Sequence, residues 1–123
     1  MPGRIAVISD IHANLHALEA VLAAIDSESP DELWCLGDLV GYGPRPNPCC
    51  AMVQEHAAVC LAGNHDLGVL GELELEEFAP DAVASARWTR KVLEDEPRAA
   101  AEVGLGALRG QAAGHGAVRG CEG

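Results

Sequence analysis

The chain has 123 residues, which is room for one domain. It carries 8 basic and 19 acidic side chains, and the resulting net charge of −11 argues against nucleic acid and anionic membranes as partners. Hydrophobic residues make up 49% of the sequence and aromatic residues only 3%, which excludes a disordered acidic tail and predicts an aliphatic core.

Three short, continuously apolar runs predict strands of a parallel sheet that is covered on both faces. They lie at residues 5–8, 33–36 and 59–62. A helix is predicted between the first two strands, with Asn14 as its N-cap, because aliphatic residues recur on one helical face there. Since parallel strands need crossover connections, this order favours an α/β domain with right-handed crossovers.

Two further helices complete the predicted elements. One lies between the second and third strands, with Asn47 as N-cap and Pro48 as its first residue. The other runs from about Asp81 to Leu93. The domain is therefore assigned to residues 1–98. Residues 99–123 hold seven alanines and seven glycines among 25 residues, and we expect them to form an irregular tail.

The cysteines and the apolar runs bear on cellular location. The five cysteines are odd in number and show no Cys-x-x-Cys spacing, which favours reduced thiols. No run approaches the roughly 18 apolar residues of a membrane span, and the first apolar run is shorter than a signal-peptide core of about 7–15 residues. We therefore expect a cytoplasmic protein.

Side chains of metal-binding type follow each predicted strand. Asp10 and His12 follow the first strand, Asp38 follows the second, and Asn64 and His65 follow the third. Each motif alone is also ordinary turn chemistry, but the carboxyl ends of parallel strands meet at one edge of a sheet. Carboxylate, imidazole and amide ligands together suit Mn²⁺, Fe or Zn²⁺ better than Ca²⁺. The series therefore predicts a metal site.

These motifs resemble those of one known family. The segments SDIHANL, LGDLVGYGP and AGNHD are similar to the motifs of the calcineurin-like metallophosphoesterases, and VGYGP to their small bacterial and archaeal branch. The resemblance covers about residues 4–95. It implies the first β-α-β-α-β units of an αββα sandwich. It also implies hydrolysis of a small phosphomonoester or phosphodiester by a metal-activated hydroxide.

The resemblance also implies a two-metal site that binds Mn, Fe or Zn ions. Asp10 and His12 would ligate the first ion, Asp38 would bridge the two ions, and Asn64 would ligate the second. A carboxylate is suited to bridging because it offers two oxygens and a full negative charge. Two divalent ions are therefore expected for the family.

Two catalytic residues follow from the same resemblance. His65 would lie near the leaving group and donate a proton to it, and Asp66 would orient His65. The family completes its metal shells with later histidines in His-Gly and Gly-His-x-His segments. This sequence has no Gly-His-x-His, and His115 is the single histidine after His65. We therefore expect a truncated phosphoesterase that holds at most one ion firmly.

Two interpretations of the sequence remain open. The chain is either a metal-dependent phosphoesterase or a catalytically incomplete fragment or interaction module that binds metal weakly, and metal stoichiometry separates the two. A haloacid-dehalogenase type of domain is disfavoured, because its chemistry uses Asp-x-Asp and position 12 is histidine. A half-built sheet would expose apolar edges, so self-association is expected. Tyr42 is a candidate for lining the pocket, and Trp88 is expected in the core.

Overall fold

A computed structural model describes residues 3–95 of the chain. Three strands, Ile5–Ile8 (β1), Glu32–Cys35 (β2) and Val59–Cys60 (β3), form a parallel sheet in the order β1-β2-β3. The predicted α/β class and the parallel arrangement of the three strands are confirmed. Because all three strands run in the same direction, the loops that follow them leave the sheet at one edge.

Four helices connect and follow the strands: Leu15–Glu28 (α1), Pro46–His56 (α2), Asn64–Leu70 (α3) and Pro80–Asp95 (α4). A short 3-10 turn, Leu75–Glu77, lies between α3 and α4. The start of α1 agrees with the prediction, because the side-chain oxygen of Asn14 accepts a hydrogen bond from the backbone N–H of Ala17 at 3.1 Å.

The start of α2 differs from the prediction. Its N-cap is Arg45 and its first residue is Pro46, so Asn47 lies inside the helix rather than at its cap. Both Pro46 and Pro48 suit a first helical turn, and the sequence alone does not choose between them. A tertiary contact sets where the helix begins, because the N–H of Arg45 donates to the carbonyl of Ala13, in the loop after β1, at 3.0 Å.

Helix α3 was not predicted from the sequence. It has seven residues and begins at Asn64, directly after Gly63. Such a short helix needs tertiary support. Arg90 of α4 supplies part of it, because its guanidinium donates to the carbonyls of Gly68 and Val69 at 2.9 and 2.7 Å. Those two carbonyls lie in the last turn of α3, where helices lack regular donors; the N–H of the C-cap Gly71 also donates to the Gly68 carbonyl at 3.2 Å.

The core lies on one face of the sheet. Leu33 and Cys35 point into it from β2, together with apolar residues of the helices such as Leu18, Val53 and Leu93. No helix within residues 3–95 is long and apolar enough to cross a membrane.

The opposite face of the sheet remains open in the described residues. Ile5 and Val7 of β1 are 44% and 54% exposed, and Leu36 after β2 is 46% exposed. The prediction of a sheet covered on both faces is therefore wrong for residues 3–95, because all-apolar strands here have one covered face and one apolar face open to solvent. Trp88 was expected in the core and is 45% exposed on α4.

Candidate metal centre

The loops after β1 and β2 are joined by backbone hydrogen bonds that continue the sheet beyond its strands. The N–H of Asp10 donates to the carbonyl of Gly37 at 3.0 Å, and the N–H of His12 donates to the carbonyl of Asp38 at 2.9 Å. This pairing places Asp10, His12 and Asp38 side by side. One ligand atom from each of these three side chains lies within 4.8 Å of the other two.

The same loops have an unusual backbone conformation. Among residues 3–95, six non-glycine residues have positive φ, and five of them lie in the loops after β1 and β2: Asp10, His12, Ala13, Asp38 and Tyr42. Each such residue costs on the order of 1–3 kcal/mol, so it persists only where its surroundings enforce it. The strain is concentrated at the candidate site, which is typical of functional loops.

His12 presents to the site a ring nitrogen that could bind a metal ion. Its Nδ1 lies 3.0 Å from the carbonyl oxygen of Val40, and a carbonyl only accepts, so Nδ1 carries the proton of that hydrogen bond. In the neutral ring Nε2 then carries the lone pair, and Nε2 lies 3.3 Å from Oδ1 of Asp10. A backbone carbonyl that fixes the tautomer in this way is common behind histidine metal ligands.

Asp10 is held in its ionised form by a neighbour. The hydroxyl of Ser9 donates to Oδ2 of Asp10 at 2.7 Å. That hydrogen bond is the main cause that lowers the pKa of Asp10 below its usual value, and the adjacent His12 acts in the same direction. Asp10 therefore offers a carboxylate rather than a carboxylic acid at neutral pH.

Asp38 is positioned by two glycines and by the start of α3. Its Oδ1 accepts a hydrogen bond from the N–H of His65 at 3.0 Å. A Cβ at Gly63 would stand 2.1 Å from that same oxygen, and a Cβ at Gly37, where φ is +113°, would stand 2.5 Å from the backbone nitrogen of Gly63. The glycines of the G-D and G-N-H-D motifs therefore allow the loops after β2 and β3 to touch.

Asn64 and His65 form the first turn of α3 at the same edge of the sheet. The ring centroid of His65 lies 4.9 Å from that of His12. Its Nδ1 is buried and has no hydrogen-bond partner within the described residues. Burial lowers the pKa of His65, although the nearby Asp38 opposes this, so the neutral ring is favoured. Asp10, His12, Asp38 and His65 are thus brought together by the segments that follow the three strands.

Asp66 holds backbone groups of two neighbouring segments. Its fully buried carboxylate accepts hydrogen bonds from the backbone N–H groups of Asp38 at 2.8 Å, Gly63 at 3.1 Å and Val40 at 3.2 Å. Burial raises the pKa of Asp66 to about 7, although the three N–H groups favour the ionised form. These hydrogen bonds fasten the loop after β2 to the start of α3, and the orienting of His65 by Asp66 stays a prediction.

The sequence carries a signal for the hydrogen bond between Asp66 and Gly63. Gly63 is the N-cap of α3, and Asp66 is the third residue of that helix. An acidic residue at this position commonly accepts a hydrogen bond from the N-cap N–H, as Asp66 does. The spacing Gly-x-x-Asp therefore indicated a helix start. His115 and the predicted tail at 99–123 lie outside the described residues.

Tyr42 lies at the rim of the site, as the sequence suggested. It is 55% exposed, and its ring centroid lies 5.2 Å from that of His12 and 5.0 Å from that of His65. The ring of Phe78 lies 5.2 Å from that of His65. Aromatic rings therefore border the imidazoles of the candidate metal centre.

Comparison with known proteins assigns the family. A model of the calcineurin-like phosphoesterases matches residues 3–114, and the chain therefore belongs to that family. The chain is 46% identical to an uncharacterized protein of Methanocaldococcus jannaschii, over 75% of this chain and 38% of that protein. It is 33% identical to a symmetrical bis(5′-nucleosyl)-tetraphosphatase of Pseudomonas putida, over 80% of this chain and 41% of that protein.

A solved structure gives the same result. The crystal structure of a metallophosphoesterase from Sphaerobacter thermophilus is similar to this chain with a TM-score of 0.62 and 43% identity. The match covers 89% of this chain and 40% of that one. The chain thus spans about two fifths of the length of the relatives it matches, and the partial metallophosphoesterase fold is confirmed.

Proposed function

We propose that the chain forms part of a metal-dependent phosphoesterase that acts on a small-molecule phosphate ester. The observation that carries this proposal is the convergence of Asp10, His12 and Asp38 within 4.8 Å at the carboxyl edge of a parallel sheet. Membership of the calcineurin-like phosphoesterase family supports the reaction type. Relatives named as bis(5′-nucleosyl)-tetraphosphatases support a phosphorylated small molecule as substrate.

The donor set fits a divalent transition metal. Asp10 and His12 would hold the first ion, Asp38 would contact both ions, and Asn64 would contact the second. Two carboxylates and an imidazole nitrogen converge with their lone pairs, and a cation removes the repulsion among them. Such mixed oxygen and nitrogen ligands suit Mn²⁺, Fe or Zn²⁺. When bound, the ions supply positive charge for the phosphate and lower the pKa of water to generate a nucleophile.

His65 is proposed to act on the leaving group. Its backbone N–H fixes Asp38, and its ring lies beside that of His12. Burial favours the neutral imidazole in the protein alone, but the negative charge of a phosphate ester would offset this and favour the imidazolium. His65 would then donate a proton to the departing oxygen.

A catalytically incomplete metal-binding module is the alternative function. The observation that favours it is the small number of ligands. Within residues 3–95, one cluster of carboxylate and imidazole side chains could hold a metal ion, and it has three members: Asp10, His12 and Asp38. Three protein ligands suffice for one ion, whereas the second would have Asp38, Asn64 and, outside the described residues, His115. We accordingly propose that the chain holds one ion firmly.

Hydrolysis of two generic substrates tests the proposed activity. The full chain, with and without Mn²⁺, would be assayed on 4-nitrophenyl phosphate and on bis(4-nitrophenyl) phosphate. We expect Mn²⁺-dependent turnover that Asp38→Asn abolishes, while Asp81→Asn, a change at an exposed position in the first turn of α4, leaves it intact. Asp38→Asn protein with full activity and full metal content would contradict the assignment. Firm binding of metal without turnover on either substrate would favour the module.

Two further proposals concern the setting of the protein. The buried thiols of Cys35, Cys49 and Cys50 form no disulfide among residues 3–95, which supports the reducing environment of the cytoplasm. The open apolar face of the sheet, with Ile5, Val7 and Leu36, supports self-association of the chain. Sedimentation of the purified chain over a range of concentrations tests the self-association, and a monomer at all concentrations would contradict it.

A further inference from the structure

Tyr42 is an exposed aromatic residue placed against the proposed metal ligands. The chain has one tyrosine and one phenylalanine, and the rings of both lie within 5.2 Å of the ring of His65. Tyr42 also lies 5.2 Å from the ring of His12. In a sequence with so few aromatic residues, their position beside the two imidazoles is informative. The core of the domain is aliphatic and does not use them.

The backbone at Tyr42 is fixed in a strained conformation. Its φ is +64°, in the left-handed region that bulky side chains rarely adopt. Its N–H donates to the hydroxyl of Ser85 on α4, which holds the loop against that helix. A glycine would adopt this φ without strain, as the neighbouring Gly41 does at a φ of +92°. The strained tyrosine therefore indicates a use for its side chain.

We propose that Tyr42 is the platform of a subsite for the aromatic part of the substrate, a nucleobase or an aryl group. This rests on the proposed function, because the substrate's phosphate would be held by the metal ligands that Tyr42 borders. The ring offers a flat, rigid surface that is 55% exposed, and it loses little side-chain entropy when it stacks. Stacking tolerates many rings, so Tyr42 would select aromatic esters as a class over alkyl esters.

Binding of paired phosphate ligands tests this subsite without relying on turnover. Calorimetry on the full chain with Mn²⁺ would compare adenosine 5′-monophosphate, ribose 5-phosphate and inorganic phosphate. We expect the wild-type protein to bind the adenosine compound about 10-fold or more tightly than ribose 5-phosphate, because base–aromatic stacking typically has an effect of this size. Tyr42→Leu should remove that difference and leave the affinity for ribose 5-phosphate unchanged. Tyr42→Phe should keep it.

The possible failures are distinguishable. If none of the three compounds binds the Mn²⁺-loaded wild-type protein, the proposed function fails and the subsite with it. If ribose 5-phosphate binds but adenosine gives no advantage that depends on Tyr42, the subsite alone is wrong. Equal loss for all three compounds in Tyr42→Leu would show that Tyr42 merely supports His12 and His65. Loss of the adenosine advantage in Tyr42→Phe would assign the effect to the hydroxyl and overturn the stacking platform.

Discussion

Replacement of Asp66 by alanine tests how the loop after β2 is held to the start of α3. The carboxylate of Asp66 accepts three backbone hydrogen bonds, from Asp38, Val40 and Gly63, and it is completely buried. Asp66→Ala leaves these three N–H groups without that acceptor. We therefore expect it to loosen the loop after β2 from the start of α3.

The size of the effect follows from these contacts. A buried donor left unsatisfied costs about 1–3 kcal/mol, and three donors are affected, but the variant also removes a costly buried charge. We expect the free energy of unfolding to fall by about 2–4 kcal/mol, out of a total that is typically 5–15 kcal/mol. Asp66→Asn keeps one acceptor oxygen for Asp38 and Gly63 and should lose less.

Urea unfolding and Mn²⁺ calorimetry measure the two consequences. Besides the lower stability, we expect Mn²⁺ affinity to fall about 10- to 100-fold, as is usual when residues that hold metal ligands are lost. Asp26→Ala, an exposed position near the end of α1, is the matched control and should stay within about 0.5 kcal/mol. Wild-type stability and Mn²⁺ affinity in folded Asp66→Ala would refute the role of Asp66. Lower stability with unchanged Mn²⁺ affinity would show that Asp66 stabilises the fold but does not position the metal site.

Three further predictions concern other residues of the site and core. His65→Ala should keep most of the metal affinity but slow hydrolysis, most strongly for poor leaving groups; equal losses for good and poor leaving groups would argue against proton donation. Gly63→Ala should displace Asp38 and so weaken Mn²⁺ binding, because the new Cβ would stand 2.1 Å from Oδ1 of Asp38. An affinity for Mn²⁺ that calorimetry finds within a factor of two of wild type would contradict this. Burial raises the pKa of Cys49 to about 11 and that of Cys50 well above its usual value, so thiolate is scarce at pH 8. Both should react with a disulfide reagent only in denaturant, and fast reaction of either of these two thiols in the native protein would contradict their burial.

The sequence predicted those parts of the fold that depend on local pattern. Three apolar runs gave the parallel strands, and Asn14 caps α1 as expected. Asn47 was misplaced because the start of α2 depends on the hydrogen bond from Arg45 to Ala13, which is distant in sequence. Helix α3 was missed because seven residues carry too little periodicity, and its support comes from Arg90.

Part of the candidate site was likewise predictable from the sequence, and part depended on tertiary contacts. The positions of Asp10, His12 and Asp38 after successive strands were enough to predict that they meet, since parallel topology fixes the edge. Asp38 and Val40, the partners of Asp66 in the loop after β2, were not predictable from motif order, because these contacts depend on how closely glycine residues let two loops approach. The strand residues alone did not indicate the open face of the sheet, since apolar residues suggest burial whether or not something covers them. The expectation of exposed apolar surface came from the resemblance, which covers only the first units of the sandwich.

The metal content of the purified chain tests the proposed centre most directly. Calorimetric titration of the metal-free chain with Mn²⁺ would be compared with the same titration of His12→Ala and Asp38→Asn. We expect one firmly bound ion per chain in the wild-type protein and an affinity at least about 10-fold lower in each variant. Firm binding that survives both substitutions, or two firmly bound ions per chain with robust turnover that survives His115→Ala, would contradict the one-ion centre built on Asp10, His12 and Asp38.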